Sequence, residues 1–242
     1  MRGQVLAEWQ KLRTVRSTWV VLGLVLLVEA VLRSVGVVVA PDGSTADEAL
    51  LAVRPSITFP TAVALLPALL ATVEWRYGTV VSTYVVRPSR GAVLAAKLVV
   101  GGAVGAGTAV LGSAVGVGAA LLVSAATGGP VPTPWALAVL LGSSPVAGAL
   151  LGMSAVVCGH LLRDQAVTVT VLVVVLFVAP VPVALLSPAG YGYTPSGLVD
   201  ALGGLGQVDV ALVGPWTATG LLTGLLLVLL AAARWDGRRD LV

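Results

Sequence analysis

The sequence predicts an all-α integral membrane protein: six transmembrane helices preceded by an amphipathic helix at the membrane surface. Three observations predict it. Of the 242 residues, 57% are hydrophobic and only 10% charged, well below the roughly 25% charged residues of soluble domains. The apolar residues gather into runs of about 20, the length needed to cross the hydrocarbon core. Between those runs Lys and Arg collect on alternate connections, as they do when short basic loops stay on one side of a bilayer. Residues 1–242 therefore read as one transmembrane domain with no soluble lobe.

The first element is the segment 1–18. Val5, Leu6, Trp9 and Leu12 recur at helical spacing, with Glu8, Lys11, Arg13 and Arg16 largely on other faces. That pattern describes a helix lying in the membrane surface, held by Trp9, Lys11, Leu12 and Arg13. A solvated basic leader that only fixes topology is the plainer alternative. Span one, 19–39, is too long for the apolar core of a signal peptide, and Val38-Val39-Ala40 is a poor cleavage site. An uncleaved anchor fits better.

Glu29 and Arg33 lie inside that span, four residues apart and so on one helical face. Charges in hydrocarbon are costly and face a bundle interior or a polar cavity. The residues alone leave two roles open: a structural ion pair at a helix or subunit interface, or an element of a translocation path. Arg33 is also long enough to reach toward the outer headgroups.

Span two, 57–73, is the shortest and contains Pro67; span three, 98–124, is overlong and carries Gly101, Gly105, Gly107, Gly112, Gly116 and Gly118. Small residues at four-residue spacing let helices approach closely, so a packing role is expected for them. Span four, 135–159, holds Pro145, and span five, 166–186, holds Pro180 and Pro182. These prolines remove backbone donors and bend helices, tolerated kinks being a plainer reading than gating hinges. The segment 187–210 is long and moderately apolar, which suits a re-entrant dip into the outer leaflet if protein covers its backbone. Span six is 211–233. Trp19, Trp75, Trp135, Trp216 and Trp235 all fall near span ends, where amphipathic rings favour the headgroup region.

Orientation follows from the cations. Arg2, Lys11, Arg13 and Arg16, then Arg76, Arg87, Arg90 and Lys97, then Arg163, then Arg234, Arg238 and Arg239 fall on one side. The other side has Arg54 among Asp42, Asp47, Glu48, Asp200 and Asp209. Both termini are expected to be cytoplasmic.

Little in the sequence points to catalysis. The only lysines, Lys11 and Lys97, do not follow phosphate-loop glycines, so this chain is not expected to hydrolyse ATP by that route. Cys158 and His160 lack further ligands nearby, so no metal site is expected, and one cysteine forms no internal disulfide. No Ser/His/Asp arrangement is visible. No catalytic residue, bound cofactor or nucleic-acid partner is expected of the chain itself.

Several stretches together resemble the type-2 ABC transporter permeases, especially the small drug and antibiotic exporter subunits of actinobacterial type. AEWQKLRTVRSTWVVL resembles the family's interfacial helix entering span one, and EWRYGTVVSTYVVRPSRGAVLAAKL its cytoplasmic loop between spans two and three. GHLLRDQAVTVTVLVVVLFVAP is similar to the turn between spans four and five, YTPSG to the outer loop and RWDGRRDLV to the tail. No single stretch is as specific as a phosphate loop; their order and spacing carry the likeness.

The resemblance implies that 74–97 is a coupling loop whose short helix docks on a separate P-loop ABC ATPase, with Glu74, Arg76, Tyr77, Gly78, Thr79, Arg87 and Arg90 as contacts. It implies further a bacterial plasma membrane, ATP and Mg2+ held by the partner ATPase, and pairing with a second permease, identical or different. A drug, antibiotic, peptide or lipid would then leave the cell by alternating access. Two other readings stand beside it: an ion-coupled secondary transporter, for which only Glu29 and Arg33 supply intramembrane charge, and a noncatalytic immunity or sequestering protein. A membrane enzyme comes last.

Overall fold

The computed structural model describes residues 2–14, 16–40, 49, 53–55, 58–79, 90–129, 131–203 and 212–239. All regular structure among them is helical. In chain order the helices are α1 (Arg2–Thr14), α2 (Arg16–Val39), α3 (Phe59–Arg76), α4 (Arg90–Thr127), α5 (Pro134–Leu162) and α6 (Gln165–Val173). They continue through a π-helical turn (Val174–Val178) to α7 (Pro180–Leu186), α8 (Pro188–Tyr191), α9 (Pro195–Leu202) and α10 (Pro215–Arg239).

Five stretches are long and apolar enough to cross a membrane: Thr18–Val39, Gly91–Thr127, Pro134–Leu162, Gln165–Leu186 and Pro215–Asp236. The sixth expected span, 57–73, is not among them. Its place is taken by α3, an 18-residue helix that ends in Glu74, Trp75 and Arg76. At 1.5 Å per residue it is about 27 Å long, close to the hydrocarbon thickness. Unlike the others it is mostly buried, from Phe59 to Glu74, because α4, α5 and α6 pack around it.

Two expected boundaries move. Span three begins earlier than 98, since helix continues from Arg90 to Thr127. Both ends of the loop expected over 74–97 are helical: Glu74 and Arg76 belong to α3, and Lys97 stands two turns inside α4. Residues 80–89, including Arg87, lie outside the described residues, as does 204–210 of the outer segment.

Glycine sets the central crossing. Gly101 and Gly105 of α4 meet Gly148 and Gly152 of α5 so closely that a Cβ on Gly105 would collide with the Gly148 carbonyl oxygen, and one on Gly152 with that of Gly101. Backbone cannot yield as a side chain can, so the small residues are a condition of the approach. Gly107 and Gly118, on other faces of α4, have nothing near them.

Proline shapes the other side. Pro180 has no N–H to give the carbonyl of Leu176, the usual partner four residues back. The helix widens there, with Ala179 N–H bonding Val174 O at 2.7 Å. The Leu176 oxygen is not left bare: the buried Ser196 hydroxyl of α9 donates to it at 2.6 Å. α9 is itself buried from Ser196 to Leu202, so protein covers the middle of the outer segment. Its start obeys a local rule that recurs at α5 and α8: a hydroxyl residue caps the helix and proline takes the first position. Thr133 accepts from Ala136 N–H, Ser187 from Gly190 N–H and Thr194 from Gly197 N–H.

Candidate functional site

The polar groups of the bundle concentrate at two places. One is the basic end, where α1, the last turn of α3, the first turns of α4, the α5–α6 turn and the tail of α10 meet. The other is enclosed between α2, α3 and α4.

At the basic end α1 does not merely lie alongside the bundle. Leu12 is buried against Leu70 and Val100, with Val5 and Val104 beside them, while Leu6 and Trp9 remain exposed on its other face. This seats Glu8 and Lys11 over α3 and α4, where four charges close into a ring. The Lys11 ammonium donates to Glu8 Oε1 at 2.8 Å and to Glu74 Oε1 at 2.5 Å. Lys97 Nζ stands 3.3 Å from Glu8 Oε2 and 3.1 Å from Glu74 Oε2. Each carboxylate spans both ammonium groups, so the ring is neutral overall and every charge has two opposite neighbours.

Glu8, Glu74 and Lys97 are buried, and Lys11 forms the open side. Burial alone would raise the Glu74 pKa, but Lys97 and Lys11 outweigh it and hold the carboxyl below its usual range. Burial would likewise pull Lys11 down; the hydrogen bonds and charges of Glu74 and Glu8 reverse that and lift it above the ordinary lysine value.

Beside the ring, α3 ends in a glycine cap. Gly78 has φ 66°, Thr79 N–H bonds Glu74 O at 3.0 Å and Gly78 N–H bonds Trp75 O at 3.3 Å. These are the two reversed bonds of a Schellman motif, which satisfy carbonyls that the helix end would leave open. Tyr77, Gly78 and Thr79 are exposed immediately after it. Arg76 is exposed too, donating to Gln165 Oε1 at 3.2 Å. Arg163, in the left-handed region at φ 53°, pairs with Asp236 of α10 at 2.6 Å and lies over the Trp75 ring at 5.6 Å. The ends of α3, α5, α6 and α10 are thereby joined to one another.

The second polar group is the Glu29–Arg33 pair. Arg33 Nε donates to Glu29 Oε2 at 3.1 Å, its Nη1 donates to the Val53 carbonyl at 3.3 Å, and its guanidinium lies 5.4 Å from the centre of the Phe59 ring. Glu29 is 0% and Arg33 1% exposed. Space for them is made by glycine again: a Cβ on Gly116 would stand 2.7 Å from Arg33 Cδ and Nε, and one on Gly112 3.2 Å from Phe59.

Of the residues singled out from sequence, the structure brings Lys11 and Glu74 together, and joins Glu29 to Arg33. Arg76, Tyr77, Gly78 and Thr79 follow Glu74 as one exposed edge. Trp9 and Arg13 are exposed on α1. Arg90 opens α4, and Arg87 lies outside the described residues. Glu8 and Lys97 were not expected as a pair, being 89 residues apart. One signal was available: the chain uses arginine almost throughout, and both of its lysines meet here. A compact ammonium with three rotatable donors can give one to each of two carboxylates, as both lysines do here. Among the described residues no group of three or more His, Cys, Asp or Glu is placed to hold a metal ion. No protein-family model matches the chain, and no curated protein does.

Proposed function

We propose that this chain is a six-span permease subunit of an ATP-driven ABC exporter, with its basic end in the cytoplasm, α3 as the short second span and a second permease as its partner. The single observation that carries the reading is the charge ring. It ties the surface helix α1 to α3 and α4, the helices on either side of residues 77–89, at the point where force from a soluble ATPase would enter the membrane. A loop rooted in a loosely packed end would absorb such a movement; one rooted in a buried four-charge joint passes it to three helices at once.

This divides the residues of the expected docking loop by role. Glu74 anchors, since its carboxylate is engaged by both lysines. Tyr77, Thr79 and Arg87 are the contacts offered to the ATPase, and Gly78 shapes the turn that presents them. Glu29 and Arg33, enclosed within one chain, hold α2 to α4 and α3 and do not line the path. ATP and Mg2+ belong to the partner, and the cargo is a hydrophobic or amphipathic molecule moved outward by alternating access.

The test is affinity purification in mild detergent with mass spectrometry of what co-elutes, for wild type, Tyr77→Ala and Arg87→Ala. A P-loop ATPase captured by the wild type and lost from both variants supports the reading. An intact, folded permease that captures no ATPase overturns it and moves the ion-coupled and sequestering alternatives ahead.

A further inference from the structure

Next to the charge ring a cleft of about 200 Å³ opens between α1, α3 and the starts of α2 and α6. Its wall is divided by chemistry. Leu12, Leu69, Leu70 and Val73 form an apolar side, while Lys11, Thr18, Arg76, Tyr77 and Gln165 form a polar one. Among the described residues no carboxylate lines it: Glu8 and Glu74 meet Lys11 on the ring side. Lys11, balanced by Glu8 and Glu74, adds a donor and no net charge, so the positive charge of this wall comes from Arg76. With the neutral hydrogen-bonding groups between them they make a surface complementary to an anion, and Arg76 is steadied there by Gln165 and by the Tyr77 ring 5.8 Å away.

The position selects the anion. Thr18 begins the first apolar span, and Leu69 to Val73 belong to the last turns of α3 before its polar end. The cleft therefore runs from the headgroup level into the acyl region of whichever leaflet meets the basic end. A free inorganic anion would use the cations and leave the leucines wet. A phospholipid uses both walls.

We propose that this cleft is a binding site for one phospholipid with an anionic headgroup, its phosphate held by Lys11 and Arg76 and its upper acyl chain laid against Leu12, Leu69, Leu70 and Val73. Bound there, the lipid joins the surface helix to α3 and α6 on the side of Lys11 that the ring leaves open. The site does not depend on the export reading, because every group in it belongs to this chain.

The experiment is native mass spectrometry of the purified full chain, without any ATPase, titrated with phosphatidylglycerol or with phosphatidylcholine of the same acyl chains. The expected result is a first bound lipid that is phosphatidylglycerol, weakened roughly fivefold by Arg76→Gln, about the effect of one cation near an anionic lipid. Arg54→Gln, which removes an exposed cation at the other end, is expected to change nothing. Thr18→Val supplies a second, uncharged probe of the same wall should Arg76→Gln fold poorly, and is expected to weaken the first site in the same direction.

Equal binding of the two lipids, or equal loss in Arg76→Gln and Arg54→Gln, overturns the proposal. So does displacement of the lipid by millimolar glycerol 3-phosphate or inorganic phosphate, which would mark a site for a soluble anion. Since no ATPase is present, a positive result survives failure of the co-purification test, and a negative one leaves that test standing.

Discussion

The two polar groups of this bundle use pairing of carboxylates with cations in opposite ways. At the basic end two carboxylates and two ammonium groups come from three helices, each charge has two partners, and one side of the ring is open at Lys11. Between α2, α3 and α4 a single carboxylate and a single guanidinium come from one helix, one turn apart, and both are shut away from solvent. The first is a joint between elements; the second is an insertion that neighbouring helices were cut to receive. The difference teaches where each will fail. A ring in which each charge has two opposite neighbours loses strength by steps, whereas breaking the enclosed pair disturbs groups that no water reaches.

The sharpest way to break the comparison is therefore Arg33→Met. It removes the guanidinium from a buried pair and leaves the Glu29 carboxyl in place, a change that costs roughly 3–5 kcal/mol when a buried pair is broken from one side. Replacing both, Glu29→Leu with Arg33→Met, removes the carboxyl together with the guanidinium and is expected to recover much of that loss. Thermal unfolding in detergent measures both. A double variant as unstable as the single one would mean that the pair contributes through shape against Gly112, Gly116 and Phe59, not through charge.

At the ring the corresponding change, Lys97→Met, is expected to cost less, roughly 1.5–3 kcal/mol, the range for hydrogen bonds to charged groups. Lys11 still bridges Glu8 and Glu74 afterwards, so neither carboxylate is stranded. The loss should concentrate in α1: hydrogen exchange over 2–14 should quicken while the α4–α5 crossing at Gly105 and Gly148 stays protected. Uniform quickening would instead make the ring a support for the whole bundle.

These contrasts also show what could be read before the structure. Apolar runs located the long helices because hydrocarbon thickness is a one-dimensional constraint, and one dimension is what a sequence displays. The glycine stripe of 101–118 and the Glu29–Arg33 pair were both visible, but not that Gly112 and Gly116 face the pair; that depends on how α2 rotates against α4. Lys97 looked like the end of a loop because its charge interrupts an apolar run, yet Glu8 and Glu74 satisfy that charge and let the helix start seven residues earlier, at Arg90. The second span fell short of the others because its helix is only 18 residues long and its last turn is Glu74, Trp75 and Arg76, polar residues that the ring and the α5–α6 turn engage. Gly78 was visible as part of a Gly-Thr pattern of a docking loop, and the structure gives it a local task as well.

That task yields a smaller effect. Gly78→Ala places a Cβ at φ 66°, where an L-residue costs roughly 1–2 kcal/mol. Nothing lies within 4 Å of the added atom, so no collision adds to it. The expected readout is fraying of the last turn of α3, with the Glu74 end of the ring loosened and Glu29–Arg33 untouched. Gly78→Asn, which tolerates the left-handed region better, should lie between alanine and wild type. If alanine and asparagine are equal, backbone strain is not what Gly78 relieves.

The smallest expected effect is of pH, and its smallness is informative. Glu74 titrates below its ordinary 4.5 in the fold, so its contribution is complete above that value and is lost as pH falls through the lowered one. Lys11 titrates above its ordinary 10.5, so its contribution is complete below that value and is lost as pH rises through the raised one. The attachment of α1 should accordingly be flat from about pH 5 to 10 and weaken only outside that window, on the acid side through Glu74 and on the alkaline side through Lys11. Limited proteolysis within 2–18 across this range, in detergent, measures it directly. A midpoint near neutrality would mean that neither Glu74 nor Lys11 limits the attachment, since Glu74 loses its charge on the acid side of that range and Lys11 on the alkaline side. Glu74→Gln sharpens the same test. It abolishes the acid limb if Glu74 is its source and leaves the alkaline limb in place, because Lys11 keeps Glu8.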